Sequence, residues 1–362
     1  MSTFKVTVAR VTVGPHPDAD AIELAHVGGY ISVVRKNEFK TGDLAVYIPE
    51  GAVVPREVLV RLGLEDKLAG PQKNRVKVVR LRGVLSQGLV GSFKALGIEA
   101  EEGEDVATRL GITKYEPPIP VAMGGEVFNA GHELALDFDV QNWKSYPDIL
   151  QEGEEVIFTE KLHGTCTIVA ILPYKDAHPE AFGEKKNILI FSKGLGAKGL
   201  AFKNNERNKD NLYVRATRAL VARIDEVQRD NTDGVVVPNF ILGETFGPGV
   251  QDLAYGKEVG FRVFASVYGY RGDQRYQHWS FVEGSLKAQF NFETVPVLHR
   301  GPFSVAAMRE HTDGKTAMGA DHIREGIVMV PARERTDPRI GRVCLKSVSA
   351  DYLTRKGGTE YN

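Results

Sequence analysis

Little in this 362-residue chain announces chemistry by abundance. It has two cysteines, Cys166 and Cys344, too few for a disulfide framework and not at metal-site spacing. That usage fits a reducing, cytoplasmic setting. No apolar run reaches the length of a membrane span, so no membrane partner is expected. The opening Met1-Ser2-Thr3-Phe4-Lys5-Val6 lacks the apolar block of a secretory signal and moves straight into strand-like alternation. An excess of one charge is missing too. With 46 basic and 47 acidic side chains the net charge is −1, which gives no global attraction to nucleic acid. Any nucleic-acid surface must be a local patch. A monomer is expected.

Glycine is plentiful, 38 residues, and short β-type runs recur between turn clusters. Residues 4–13 alternate as a strand. Gly14-Pro15-His16-Pro17-Asp18-Ala19-Asp20 turns the chain, and strands are expected over 22–27, 30–34 and 44–49. His16 reads as a turn residue, because no second ligand stands at metal spacing. Two more strands are expected around 73–93. Five short strands in about 95 residues suggest a small barrel. Within it, Lys73, Arg75, Lys77, Arg80 and Arg82 alternate with valines and a leucine. On a strand much of that charge would share one face, a phosphate-contacting surface or merely a solvated one. Pro117, Pro118 and Pro120 followed by Gly124-Gly125 suggest a linker over 119–135. The expected division is therefore an OB-like nucleic-acid-binding domain over 1–118 and a second domain over 136–362.

The second domain is built around Thr159-Glu160-Lys161-Leu162-His163-Gly164-Thr165. Strand-like runs lead in (Glu155-Val156-Ile157-Phe158) and out (Thr165 to Ile171). A lysine held between buried strands is a candidate covalent nucleophile, because burial disfavours its charged form. The plain alternative is a turn lysine pointing at water. Leu212 to Val227 has helical apolar spacing, interrupted at Arg223. A strand ending in a polar turn is expected over 187–194, and further strands at 235–238, 240–244, 261–268, 325–330 and 342–348. Glu244 follows one apolar strand, Glu325 opens another, and Lys346 lies within the last.

Lys161-x-His163-Gly164, Gly243-Glu244, an aromatic strand, Glu325-Gly326-Ile327-Val328 and a late Lys346 together resemble the covalent nucleotidyltransferase superfamily of polynucleotide ligases and capping enzymes. His163 and Gly243-Glu244-Thr245-Phe246-Gly247-Pro248-Gly249-Val250-Gln251 resemble the RNA ligase 2 family. An N-terminal OB-type domain on such a core is similar to the Deinococcus RNA ligase group. The resemblance implies an α+β protein: a β-barrel, then ATP-grasp-like antiparallel sheets with helices. It also implies ATP-dependent joining of 3′-hydroxyl and 5′-phosphate ends of RNA or of an RNA-containing nicked duplex.

By that resemblance Lys161 takes AMP from ATP as a phosphoramidate, and Lys346 neutralises charge on the α-phosphate. A lysine at its reference pKa is only about one part in 2,500 neutral at pH 7, so a lowered pKa is expected at Lys161. Thr159, Glu160, His163, Gly164, Lys193, Glu244 and Glu325 border the nucleotide, and either Phe261 or Phe264 stacks on adenine, since alternation turns only one inward. Glu244 and Glu325 are candidate ligands of hydrated Mg²⁺ or Mn²⁺. His163 stands where DNA ligases and capping enzymes carry aspartate. Cys344-Leu345-Lys346 supplies one lysine where the RNA ligase 2 pattern has two, and Cys166 replaces a familiar asparagine. The rival readings are a DNA ligase or GTP-using capping enzyme on the same core, and a non-catalytic RNA-binding protein.

Overall fold

The structure, a computed structural model, describes residues 4–229 and 233–359. The chain forms two compact units. The first comprises Met1–Glu116 and Gln141–Asp148, the second Pro117–Val140 and Ile149–Asn362. Among the described residues no helix is long and apolar enough to cross a membrane.

In the first unit, β1 (Thr7–Arg10), β5 (Leu44–Ile48) and β6 (Leu89–Ser92) form one antiparallel sheet, and β2 (Thr12–Pro15), β3 (Ile22–Val27) and β4 (Tyr30–Arg35) another. The expected strand over 4–13 is two strands, split at Val11. Val6 and Val8 bury in one core cluster while Val11 buries in the next. The chain therefore changes sheets to serve both.

The basic stretch is not one strand face. Val76 and Val78 are buried and Arg75 makes isolated bridges to Val53 and Ala69, but a continuous strand begins only at Val79–Leu81, which forms a hairpin with Val84–Ser86. Lys73 (φ 54°) and Arg82 (φ 45°) sit in turns with left-handed backbone. Lys73, Lys77, Arg80 and Arg82 are exposed, whereas the Arg75 guanidinium packs 3.6 Å from the centre of the Tyr115 ring. The buried His16 bonds through Nε2 to the Leu81 carbonyl, holding the hairpin as a turn residue would.

Residues 119–135 are part of the second unit rather than a linker. Val127–Asn129 pairs with Leu200–Phe202, and Asn211 Nδ2 donates to the Gly124 carbonyl. Met123, Phe128 and Leu134 are buried; their apolar anchoring outweighs the proline and glycine signals around them.

Two antiparallel sheets carry the second unit. One has the order β14 (Leu345–Val348), β13 (Gly326–Pro331), β7 (Glu155–Lys161), β12 (Val297–Pro302). The other has β9 (Ile188–Ser192), β8 (Thr165–Ile171), β10 (Asn239–Phe246), β11 (Gly260–Tyr268), with Arg275–Tyr276 at its edge. The helix α1 spans Leu212–Arg229 and buries Tyr213, Thr217, Leu220 and Ile224 at three- and four-residue steps. Asn211 starts it by accepting from the Tyr213 and Val214 N–H groups. Residues 235–238 are not a strand: Val236 is 86% exposed, and pairing begins at Asn239.

Candidate active site

β7 and β8 are consecutive in sequence but lie in different sheets. Leu162-His163-Gly164 is therefore a crossing from sheet to sheet, not a hairpin. Three contacts fix it. Leu162 is buried in an apolar cluster. The His163 N–H donates to the Tyr255 hydroxyl over 2.7 Å. Gly164 lies so close to β10 that a Cβ there would stand 2.2 Å from the Thr245 carbonyl oxygen. Lys161 is thus held at the end of its strand, where the sheets diverge.

Charged groups gather around it from four elements. Glu325 immediately precedes β13, whose Gly326 pairs with Lys161. Its Oε1 lies 2.7 Å from Lys161 Nζ. Glu244 of β10 stands opposite Cys166 of β8 in register. Thr159 pairs with Val328, which pairs in turn with Lys346, so these three side chains form a row on one face of the first sheet. Lys193 opens a helical turn after β9, 3.5 Å from Asp139 and 5.0 Å from the centre of the Phe138 ring.

The two phenylalanines part company. Phe264 sits at the β10–β11 register shift and packs with Cys166 and toward Phe138, on the Glu244 side of the sheet. Phe261 packs into the opposite core, over Gly243, where a Cβ would meet its ring at 2.4 Å. Phe261 is a core residue, and the site face has Phe264. Glu160 also departs from expectation. It is 1% exposed, and its carboxylate accepts from the Thr316 hydroxyl and the Ala317 N–H. It anchors the loop at 316–317, and both of its oxygens are engaged.

The electrostatics reverse one expectation. Burial pulls the Lys161 pKa down, but the Glu325 and Glu244 carboxylates outweigh it and the net shift is upward. The resting lysine is an ammonium in an ion pair. Lys346 moves the other way, lowered by burial and by the Lys161 charge. Burial drives the Glu244 pKa up to about 8, against the pull of Lys161. Burial opposes ionisation of Glu325 as well, yet the Lys161 charge holds its pKa at about 2.

Glu244 gives a testable pH dependence. Its folded pKa lies above the ordinary carboxylate value, so its contribution is fully present at acid pH and lost as pH rises toward about 8. In ligand-free protein, the melting temperature of Glu244→Gln minus that of the parent should increase between pH 5 and about 8 and level off above. A flat difference across that range would remove Glu244 from the buried charge cluster.

Could the site hold a divalent cation? Among the described residues no group of three or more His, Cys, Asp or Glu side chains is arranged as a metal cage. Glu325 Oε2, however, is a buried carboxylate oxygen with no hydrogen-bond partner. Together with Glu244 it suits an ion that takes one or two carboxylates and completes its shell with water and phosphate.

Sequence reasoning missed the groups around His163. Its Nε2 lies 2.8 Å from Asp252 Oδ1, and its Nδ1 lies 2.8 Å from the Tyr352 hydroxyl. Asp252 directly follows the Gly243–Gln251 motif, a proximity that was legible; nothing local marks Tyr255, Tyr352 or Arg355.

The second unit is a nucleotidyltransferase-like, sheet-rich domain, preceded by an OB fold: residues 5–92 match an OB-fold domain model. Residues 154–348 match the RNA ligase family model, and the chain belongs to the RNA ligase family. No curated protein matches. Among solved structures it is similar to a Naegleria gruberi RNA ligase with pyrophosphate, at 23% identity and a TM-score of 0.76, covering 97% of this chain and 98% of that one. A variant of that ligase with ATP and manganese aligns at 22% identity and a TM-score of 0.74, over 96% and 98%. Another, with AMP and manganese, aligns at 22% and 0.76, over 96% and 97%. These likenesses establish the fold along nearly the whole chain.

Proposed function

We propose that this RNA ligase uses ATP and a divalent metal to seal 3′-hydroxyl and 5′-phosphate ends, at nicks in RNA-containing duplexes, in the manner of the RNA ligase 2 and Deinococcus groups. The observation that carries the reading is the placement of Lys161 at the sheet crossing, paired to Glu325 with Glu244 and Lys346 around it. The Naegleria ligase variants solved with ATP, AMP and manganese support the choice of nucleotide and ion.

In this reading Lys161 Nζ attacks the α-phosphorus of ATP. An N–P bond forms, the bond to the pyrophosphate oxygen breaks, and Nζ sheds its proton. The resting ion pair must open first, because an ammonium has no lone pair. A 5′-phosphate oxygen then takes the AMP from Lys161, and the 3′-hydroxyl oxygen displaces AMP to leave the phosphodiester. Lys346 faces the charge that develops on phosphate. Glu244 and Glu325 would hold the cation, which supplies further charge neutralisation when bound. Phe264 offers the ring for adenine, and Thr159, His163, Gly164 and Lys193 border the nucleotide. Exposed Lys73, Lys77, Arg80 and Arg82 would meet nucleic-acid phosphates from the first unit; Arg75 instead packs on Tyr115.

Incubation with labelled ATP and Mg²⁺ or Mn²⁺ should place label on the protein, and labelled GTP should not. The adduct should be discharged by nicked duplex with RNA at the 3′ side of the nick, less effectively as salt rises. Labelling by GTP would favour a capping enzyme, indifference to RNA a DNA ligase, and no label from either a non-catalytic RNA-binding protein.

A further inference from the structure

Away from the nucleotide-facing charges, the back of the catalytic crossing is gripped by two segments distant in sequence. From one side, Val250-Gln251-Asp252 reaches in: Gln251 Nε2 donates to the Gly164 carbonyl over 3.2 Å, and Asp252 Oδ1 meets His163 Nε2 at 2.8 Å. From the other comes residues 349–359, which include the helix α2 (Ala350–Thr354). The Ser349 N–H donates to the Glu325 carbonyl over 2.9 Å, and the Tyr352 hydroxyl lies 2.8 Å from His163 Nδ1.

The two segments also lock to each other. Arg355 donates to Asp252 twice, Nε to Oδ2 over 2.8 Å and Nη2 to Oδ1 over 2.9 Å. The Thr359 N–H adds a bond to Oδ1 over 2.7 Å, and its hydroxyl donates to Gln251 Oε1 over 3.0 Å. Such donors hold the Asp252 pKa far below the carboxylate range despite partial burial. A carboxylate only accepts, so His163 Nε2 carries the proton when it bonds Asp252, with Arg355 Nη2 also 3.2 Å from that nitrogen; in the neutral ring Nδ1 then accepts from Tyr352. Arg355 closes the circle by lying 3.7 Å from the centre of the Tyr352 ring. On the same edge, His163 Nδ1 stands 3.6 Å from Glu325 Oε2, whose sister oxygen pairs with Lys161.

We infer that Asp252, Tyr352 and Arg355 are positioning residues: they set the ring of His163 and the backbone of Glu325, and so fix where Lys161 Nζ stands when it attacks. The nearest chemical parallel is a carboxylate that orients an active-site imidazole without touching substrate. The inference rests on the proposed lysyl-AMP chemistry and deepens it, because it makes residues 349–359 part of the lysine step rather than a covering for it.

Full-length Asp252→Asn and Tyr352→Phe test it, each keeping its side chain's shape. With labelled ATP and Mn²⁺, the rate of adduct formation at saturating ATP should fall about 10- to 100-fold, the loss typical of outer-shell orienting partners. The KM for ATP should stay near the parent value. Sealing of a nick that already carries a 5′-adenylate should be nearly unaffected, because Lys161 is not the nucleophile there. Adduct formation at the parent rate by both variants overturns the inference. So does a loss that falls equally on the lysine step and on sealing of the adenylated nick, which is what a merely structural role predicts. If Asp252→Asn misfolds, Tyr352→Phe carries the test alone, since the Asp252–Arg355 lock is intact in it. A parent protein that takes no label overturns the lysyl-AMP reading and this inference with it.

Discussion

Replacing Lys161 should leave a protein that never acquires AMP. Two substitutions separate the causes. Lys161→Ala removes the nucleophile and also strands the Glu325 carboxylate, which loses its partner at 2.7 Å; some loss of stability is expected, because breaking a buried ion pair leaves a charge uncompensated. Lys161→Arg keeps a cation near Glu325, but a guanidinium stays protonated at any working pH and offers no lone pair. Both should give no protein-bound label from ATP, while the arginine variant melts closer to the parent. Both should still seal a nick that already carries a 5′-adenylate, since that step needs no lysine nucleophile. Label on either variant, or AMP mapped to another residue, would sink the assignment.

Glu325→Ala and Lys346→Ala should each slow ligation by about 10² to 10³, the usual worth of one preorganised charge at a reacting phosphoryl group. They should fail differently. Glu325→Ala frees Lys161 from its ion pair and removes the orphaned Oε2 suited to a cation, so raising the Mn²⁺ concentration should recover little. Lys346→Ala takes away a cation whose ammonium is already strained by burial and by Lys161. Stability should suffer little, and the loss should sit in turnover more than in ATP affinity. Near-parent sealing by either variant would mean that residue faces away from the reacting phosphate.

Much of this was legible from local pattern. The β-branched runs on both sides of Lys161 gave β7 and β8, and the apolar spacing from Leu212 gave α1. What local pattern cannot carry is which sheet a strand joins. β7 and β8 read only as two strands joined by a short connection, and three residues between them do not tell one sheet from two; a glycine pressed against Thr245 lets the chain change sheets. The choice between Phe261 and Phe264 was closed to sequence for a related reason. A register shift beside Leu242 resets the inside–outside alternation, and period two cannot see it. The lysine pKa was misjudged because burial is readable from apolar flanks, whereas two carboxylates 83 and 164 residues away in sequence are not obviously neighbours. Asp252, Tyr352 and Arg355 escaped notice for the same reason: each makes its contact across about 90 residues or more.

The path of the chain has a consequence for synthesis. It leaves the first unit at Glu116, contributes Pro117–Val140 to the second, and returns with Gln141–Asp148 before departing for good. The Gly29 N–H bonds to the Lys144 carbonyl, and the Tyr30 hydroxyl to that of Ser145. When residue 116 emerges from a ribosome, the barrel therefore still lacks part of itself. At roughly 5–20 residues per second the missing piece follows some seconds later, and until then Gly29 and Tyr30 are an open seat. During that interval the nascent barrel is the species a chaperone would meet. A gene fragment ending near residue 118 would make the incomplete form permanent.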